Sequence, residues 1–169
     1  MEYAFTYARK YAEEGVKLFY NDFNTYQTIK RNAIYKLCES LKEKGLIDGI
    51  GMQGYWGVDY PDIMAITGTI LYFAKLELEI QITELSVGVD EETEEQFEKQ
   101  AKRYRDIFLN LKRLDTAGGG TADITNVTFF GLKDHYVEGD GTNARLFDKD
   151  NQPKPAFHEV AGIFWRFYR

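Results

Sequence analysis

Over Leu78–Leu85 apolar and polar residues alternate one by one: Leu78, Ile80 and Ile82 against Glu79, Gln81 and Thr83, with Glu84 directly after. A period of two over this length predicts a β-strand. Elsewhere the apolar spacing lengthens to three and four. Residues 2–14 are expected to be helical, with Ala4, Phe5, Ala8 and Tyr11 or Ala12 on one side and Gly15 as the stop. Val16–Tyr20 reads as a short strand leading into the turn-prone 21–24. Ile29, Ala33, Ile34, Leu37 and Leu41 predict a helix over about 26–44, closed by Gly45. Leu46–Met52 is the next strand, and its glycines point to close packing or a tight bend. Residues 53–59 read as a loop, and Tyr60-Pro61-Asp62 opens a helix reaching about Leu76. Beyond the strand at 78–84, the acidic stretch Asp90–Glu95 suits a helix N-terminus. Phe97, Ala101, Tyr104, Ile107, Phe108 and Leu111 form that helix's expected buried stripe. A flexible loop at 116–121, a strand at 123–131, a long polar loop at about 133–151 and a helix at 155–167 complete the chain.

The resulting order, αβαβαβαβα, implies a parallel α/β sheet with right-handed crossovers. Four such units make half of a (β/α)8 barrel, since a whole one takes ~250 residues. The periodicity fits a small open four-stranded sheet equally well. Residues 1–169 are expected to form a single partial domain. A carboxylate at the C-terminal tip of a strand is where such barrels keep their catalytic groups, so Glu84 is the first candidate for chemistry.

Composition narrows the choices. The net charge is −6 and no basic cluster tracks a phosphate backbone, which excludes nucleic acid as the expected partner. Aromatic residues make up 15% of the chain, enough to fill a core or to line a sugar-binding groove. Cys38 stands alone at an apolar helical position and is expected to be a buried structural thiol. His135 and His158 are too few for a His-based metal site, and no Cys/His cluster accompanies them. No run is long enough to cross a bilayer, and the N-terminal residues lack a signal-peptide apolar region. Asp90–Glu95 lacks calcium-loop spacing, and Gly118–Gly120 lacks the Lys-Ser/Thr of a phosphate loop, so they read as a solvated face and a linker.

Five segments then occur in a telling order. They are Leu18-Phe-Tyr-Asn-Asp-Phe-Asn24, Ile47-Asp-Gly-Ile-Gly-Met-Gln-Gly54, Ile80-Gln-Ile-Thr-Glu-Leu85, Val127-Thr-Phe-Phe-Gly-Leu-Lys-Asp134, and Leu146-Phe-Asp followed by Gln152-Pro-Lys-Pro-Ala-Phe157. Together they resemble glycoside hydrolase family 10, the endo-1,4-β-xylanases. The resemblance covers essentially the whole chain, yet only the C-terminal half of the family's barrel, strands five to eight. It implies that Glu84 is the catalytic nucleophile of a retaining enzyme and that xylan or xylo-oligosaccharide is the partner, with no cofactor or metal. It also implies that the acid/base, a Glu ending strand four, is absent from these residues. Gln53, Tyr55, Trp56, Asn21 and Phe130 are the candidate substrate-binding residues.

Several positions depart from the family pattern. Tyr55 stands where the family has His, and Ser86 where it has Asp, so a charged pair is exchanged as a unit. Phe130 replaces one sugar-walling Trp and Glu138 another. Glu77 stands where the family turns at Gly. Tyr55 and Trp56 are either sugar-stacking faces or loop aromatics folded onto the core. Gln53 is either a substrate contact or a structural amide. Asn21 and Asn24 are expected to shape the turn more than to touch sugar. Retaining hydrolysis needs a second carboxyl group ~5–5.5 Å from the first. Asp22, Asp59, Asp134 and Glu138 carry no sign of being that acid. Two readings follow. One is an enzyme part that works with an N-terminal half-barrel. The other is a non-catalytic carbohydrate-binding or self-associating module, whose open edges and apolar inner face pair with a second copy.

Overall fold

A computed structural model describes residues 1–134 and 143–165. His135, Glu138 and the last two residues of the expected terminal helix lie outside the described residues. The elements are α1 (Glu2–Tyr11), β1 (Phe19–Asp22), α2 (Thr28–Glu43), β2 (Gly49–Met52), β3 (Tyr55–Gly57), α3 (Ile63–Ala74), β4 (Glu79–Gly88), α4 (Glu94–Leu114), β5 (Ile124–Phe129) and α5 (Pro155–Trp165). Every strand pairing is parallel. The sheet runs β1-β2-β4-β5, with β3 alongside the far end of β4. This is the half-barrel arrangement of βα units that the alternation predicts.

Three features of the sheet differ from the expectation, and all bear on the site. β1 begins later than the expected 16–20 and runs through Asn21 to Asp22, where a turn was expected. Residues 53–59 are not wholly loop, because Tyr55–Gly57 forms β3. The β4 ladder continues across the gap: Gln53 O accepts from Glu84 N at 2.8 Å and Gly54 O from Ser86 N at 3.1 Å. β2 and β3 are therefore one run alongside β4, bent at Gly54, which takes φ +82°. A Cβ there would lie 2.8 Å from Ile82 Cγ2, so the bend requires glycine twice over. The strand at 78–84 also runs on to Gly88. Its register against β5 passes from Ile82 with Val127 to Leu85 with Phe129, three steps against two. The extra residue is a β-bulge, which re-aims side chains. The buried set accordingly changes phase, from Ile80 and Ile82 to Leu85 and Val87. Glu84 sits at that phase change.

The core lies between the helices and the outer face of the sheet. Ile50, Ile80 and Ile82 meet Cys38 and Leu41 of α2, Ile66, Ile70 and Phe73 of α3, and Tyr104 and Ile107 of α4. Cys38 is fully buried, as expected, and burial pushes its thiol up to about 12, which leaves it inert. The α2 stripe is rotated from the predicted one: Ile34, Cys38 and Leu41 are buried, whereas Ile29 is 88% exposed. On α1 only Phe5 is buried, and the helix ends at Tyr11. Ala4, Ala8 and Tyr11 face solvent because α1 lies at the β1 edge and is held by polar contacts, Arg9 to Asp48 at 2.6 Å and Lys44 to Glu2 at 2.5 Å. Glu77 takes φ +49°, the left-handed turn for which glycine is the comfortable residue. No helix among the described residues is long and apolar enough to cross a membrane.

The inner face of the half-barrel is polar, which corrects the expected apolar face. Thr83 bonds Asn21, Gln81 bonds Thr125 at 3.3 Å, and Lys17 pairs with Glu79 across this face. A period-two strand that turns its Ile residues outward to the helices must turn its polar residues inward.

Candidate active site

The C-terminal tips of β1, β2 and β4 meet at the carboxylate of Glu84. Gln53 joins them through its backbone: its N–H donates to Asp22 O at 3.0 Å and its carbonyl accepts from Glu84 N. The two carboxylate oxygens of Glu84 have separate donors. Asn21 Nδ2 donates to Oε1 at 3.1 Å, and the Tyr55 hydroxyl donates to Oε2 at 2.5 Å. Thr83 Oγ1 donates to Asn21 Oδ1 at 2.7 Å. Asn21 is thus a strand residue aimed at Glu84, whereas Asn24 is the turn residue, at φ +49°.

Glycine makes room for this arrangement. A Cβ on Gly51 would come within 2.6 Å of Asn21 Oδ1 and 2.9 Å of Thr83 Cγ2. Gly51→Ala is therefore expected to displace Asn21 and to destabilise the chain by about 1–3 kcal/mol, the usual range for overpacking. Chemical denaturation measures it, and an unchanged midpoint would refute it.

The wall beside Glu84 is aromatic and cationic. Tyr55 and Phe130 are both exposed and meet edge to face, with ring centroids 5.1 Å apart. The Arg145 guanidinium lies over the Phe130 ring at 5.6 Å. Gly131, at φ +82°, accommodates it, since a Cβ there would lie 2.9 Å from Arg145 Nε. Tyr55, Ser86, Phe130, Ala144 and Arg145 line a cavity of about 310 Å³. Trp56 also borders that cavity but is only 6% exposed and belongs to the core. Of the two readings of Trp56, its burial favours the aromatic folded onto the core over the sugar-stacking face: alternation along β3 turns Tyr55 out and Trp56 in. Ser86, the register partner of Tyr55, is buried. Thr83 and Arg145 were not singled out from sequence. Thr83 was legible as an inward-facing strand position, and Arg145 had no local signal.

Of the other carboxylates considered as acids, Asp22 and Asp134 are committed elsewhere, and Glu138 lies outside the described residues. Partial burial works against the charge of Asp22, but Lys30 at 2.7 Å, Tyr20 at 2.8 Å and the Phe23 N–H outweigh it and hold its pKa below the ordinary value. Asp134 is buried against Lys154 at 2.6 Å. Asp59 is exposed.

The parallel half-barrel that carries this carboxylate has close counterparts. The sequence profile of glycosyl hydrolase family 10 matches residues 1–163. The chain belongs to glycosyl hydrolase family 10. A Caldicellulosiruptor saccharolyticus protein named for endo-1,4-beta-xylanase activity is 45% identical over 98% of this chain and 57% of its own length. A solved structure of Clostridium thermocellum endo-1,4-beta-D-xylanase modules complexed with xylohexaose superposes with a TM-score of 0.84 at 35% identity, covering 96% of this chain and 32% of that one. An intracellular xylanase variant of Thermoanaerobacterium saccharolyticum, complexed with xylotetraose, gives a TM-score of 0.81 at 33% identity over 94% of this chain and 48% of that one. The chain thus spans about half the length of several family-10 relatives it matches.

Proposed function

We propose that these residues are the nucleophile-bearing half of a retaining family-10 endo-1,4-β-xylanase, with Glu84 as the nucleophile. The observation that carries this reading is the Glu84 carboxylate itself, at the tip of β4, with one donor on each oxygen. In retaining hydrolysis such a carboxylate attacks the anomeric carbon and forms a glycosyl-enzyme, while a second, protonated carboxyl group delivers its proton to the leaving oxygen. Water then releases the sugar. Tyr55 and Phe130 would wall the sugar beside Glu84, Gln53 and Asn21 would line the inner floor, and xylan or xylo-oligosaccharide would be the ligand.

The proton donor belongs to the other half of the barrel. Asp22 is held ionised by its neighbours, and the Asp134 carboxylate is taken up by Lys154, so neither is placed to act as the proton donor. The purified 169-residue chain is therefore expected to turn over xylan at background or trace rates. Coexpression with a family-10 half carrying strands one to four and its Glu should restore hydrolysis. The β5 side suits such a half, because Phe108, Leu111, Ile124, Val127, Ile163 and Phe164 form an apolar groove there of about 580 Å³. Turnover by the chain alone that Glu84→Gln abolishes would overturn the missing-acid reading. Failure of every complementing half would count against the enzyme-part reading.

The alternative of two copies closing as a twofold barrel rests on open sheet edges and on an apolar inner face. The polar layer of Asn21, Gln81 and Thr83 removes the second of these driving forces. A monomer in sedimentation is the expected result, and a stable dimer would revive the alternative.

A further inference from the structure

A carboxylate offers about four lone-pair sites, and on Glu84 one donor holds each oxygen. Orientation therefore depends on both donors keeping their protons. The Asn21 amide has no titration in water. Its orientation is set from behind: with Oδ1 accepting from Thr83, only Nδ2 can face Glu84. The second donor is a phenol, whose ordinary pKa is ~10. Burial first, then the hydrogen bond to Glu84 and its negative charge, push Tyr55 up to about 12. Arg145 is the opposing charge facing it, and its pull the other way is the smallest of these effects. Among the described residues, the neighbours Phe130, Ser86 and Asn21 carry no charge.

We propose that Tyr55 and Asn21 are positioning residues that hold Glu84 in one orientation from mildly acidic to alkaline pH. This rests on the reading of Glu84 as nucleophile. The phenol occupies a place where an imidazole would change charge near pH ~6.5 and alter the hold in the middle of the working range. The buried Ser86 beside it is the matching half of that arrangement. Its hydroxyl adds no charge beside the phenol.

The test is carbon NMR of the full chain labelled at tyrosine Cζ and glutamate Cδ, followed from pH ~5 to ~12. In the unaltered chain Tyr55 should titrate only at the top of the range. Glu84→Gln should bring the Tyr55 titration back toward ~10. Tyr55→His should give the Glu84 carbon a new inflection within about one unit of ~6.5. In the completed barrel, Tyr55→Phe should lower kcat on the order of 10- to 100-fold with little change in KM. The sign for stability follows from the raised phenol pKa: the folded chain binds the extra proton. The advantage over Tyr55→Phe should thus be full below pH ~10 and fade as pH rises through about 12. Tyr55 titrating alike with and without Glu84, or a Glu84 signal unmoved by Tyr55→Phe, would overturn the proposal alone. Full activity of Glu84→Gln in the completed barrel would overturn the nucleophile reading, and the positioning role with it.

Discussion

Glu84→Gln, in a barrel completed with a strands-one-to-four half, is expected to lower xylan hydrolysis by a factor on the order of 10⁴ or more, as removal of a covalent nucleophile does elsewhere. The carboxamide keeps the volume and can still accept from Tyr55. Its NH₂, however, would face the Asn21 Nδ2 donor, and its oxygen is too weak a nucleophile to form the glycosyl-enzyme. Reducing-sugar release from xylan measures the loss. The sharper version is Glu84→Ala with added azide and an aryl xyloside whose leaving group departs without protonation. Azide would then occupy the space of the lost carboxylate, attack the anomeric carbon from the α face and expel the phenolate. The product should be the α-xylosyl azide. A β-azide would instead mark Glu84 as the acid/base, and near-normal xylan hydrolysis by Glu84→Gln would remove it from the chemistry.

Much of this site was visible in the alternation of Leu78 to Thr83, because a strand buried on its helix side must put its polar residues on the other. What the alternation could not show is how Glu84 comes to be aimed. Ile82, Thr83, Glu84 and Leu85 break the period of two, and only the register against Val127 and Phe129 turns that break into a bulge. The same limit hid β3. Gly54 bends the β2 run through a left-handed residue, and the resumed pairing of Tyr55 with Ser86 is a contact between positions 31 residues apart in sequence, a separation that local pattern does not register. The two readings of Tyr55 and Trp56 stayed open for a related reason: only once 55–57 is a strand must the two residues face opposite ways. Asn21 looked like a turn residue because it precedes Asp22-Phe23-Asn24, but the strand runs through it. The stripe on α1 failed differently. Helical period names a face but not whether anything covers it, and among the described residues only Phe5 on α1 is buried.

Lys154→Met is expected to destabilise the chain by about 3–5 kcal/mol, the range for breaking a buried ion pair from one side. At about 2–4 °C per kcal/mol for a chain of this size, Tm should fall by roughly 6–20 °C. The side chains of Lys154 and Asp134 are only 3% and 7% exposed. Lys154 Nζ donates to Asp134 Oδ2 at 2.6 Å and to Asn143 O at 2.7 Å, and it lies 4.6 Å from the centre of the Phe97 ring. Burial, the largest influence on this ammonium, lowers its pKa even against the pull of Asp134, which marks how costly the charge is to keep there. Methionine fills the space but leaves the Asp134 carboxylate without its cation. Asp134→Leu added to Lys154→Met should therefore recover most of the loss, because it removes the stranded charge. The effect reaches the site along a short path. Asp134 Oδ1 accepts from Arg145 N at 2.8 Å, and Gln100 and Tyr104 hold Asn143 O and Ala144 O at 2.8 Å each. Loosening the pair frees the segment that carries Arg145 over Phe130. Thermal unfolding of the two variants measures the stability change, and the edge-to-face contact of Tyr55 with Phe130, followed by aromatic NMR, measures its reach. A drop in Tm that the double variant fails to recover would show that packing, rather than the uncompensated charge, dominates at this position.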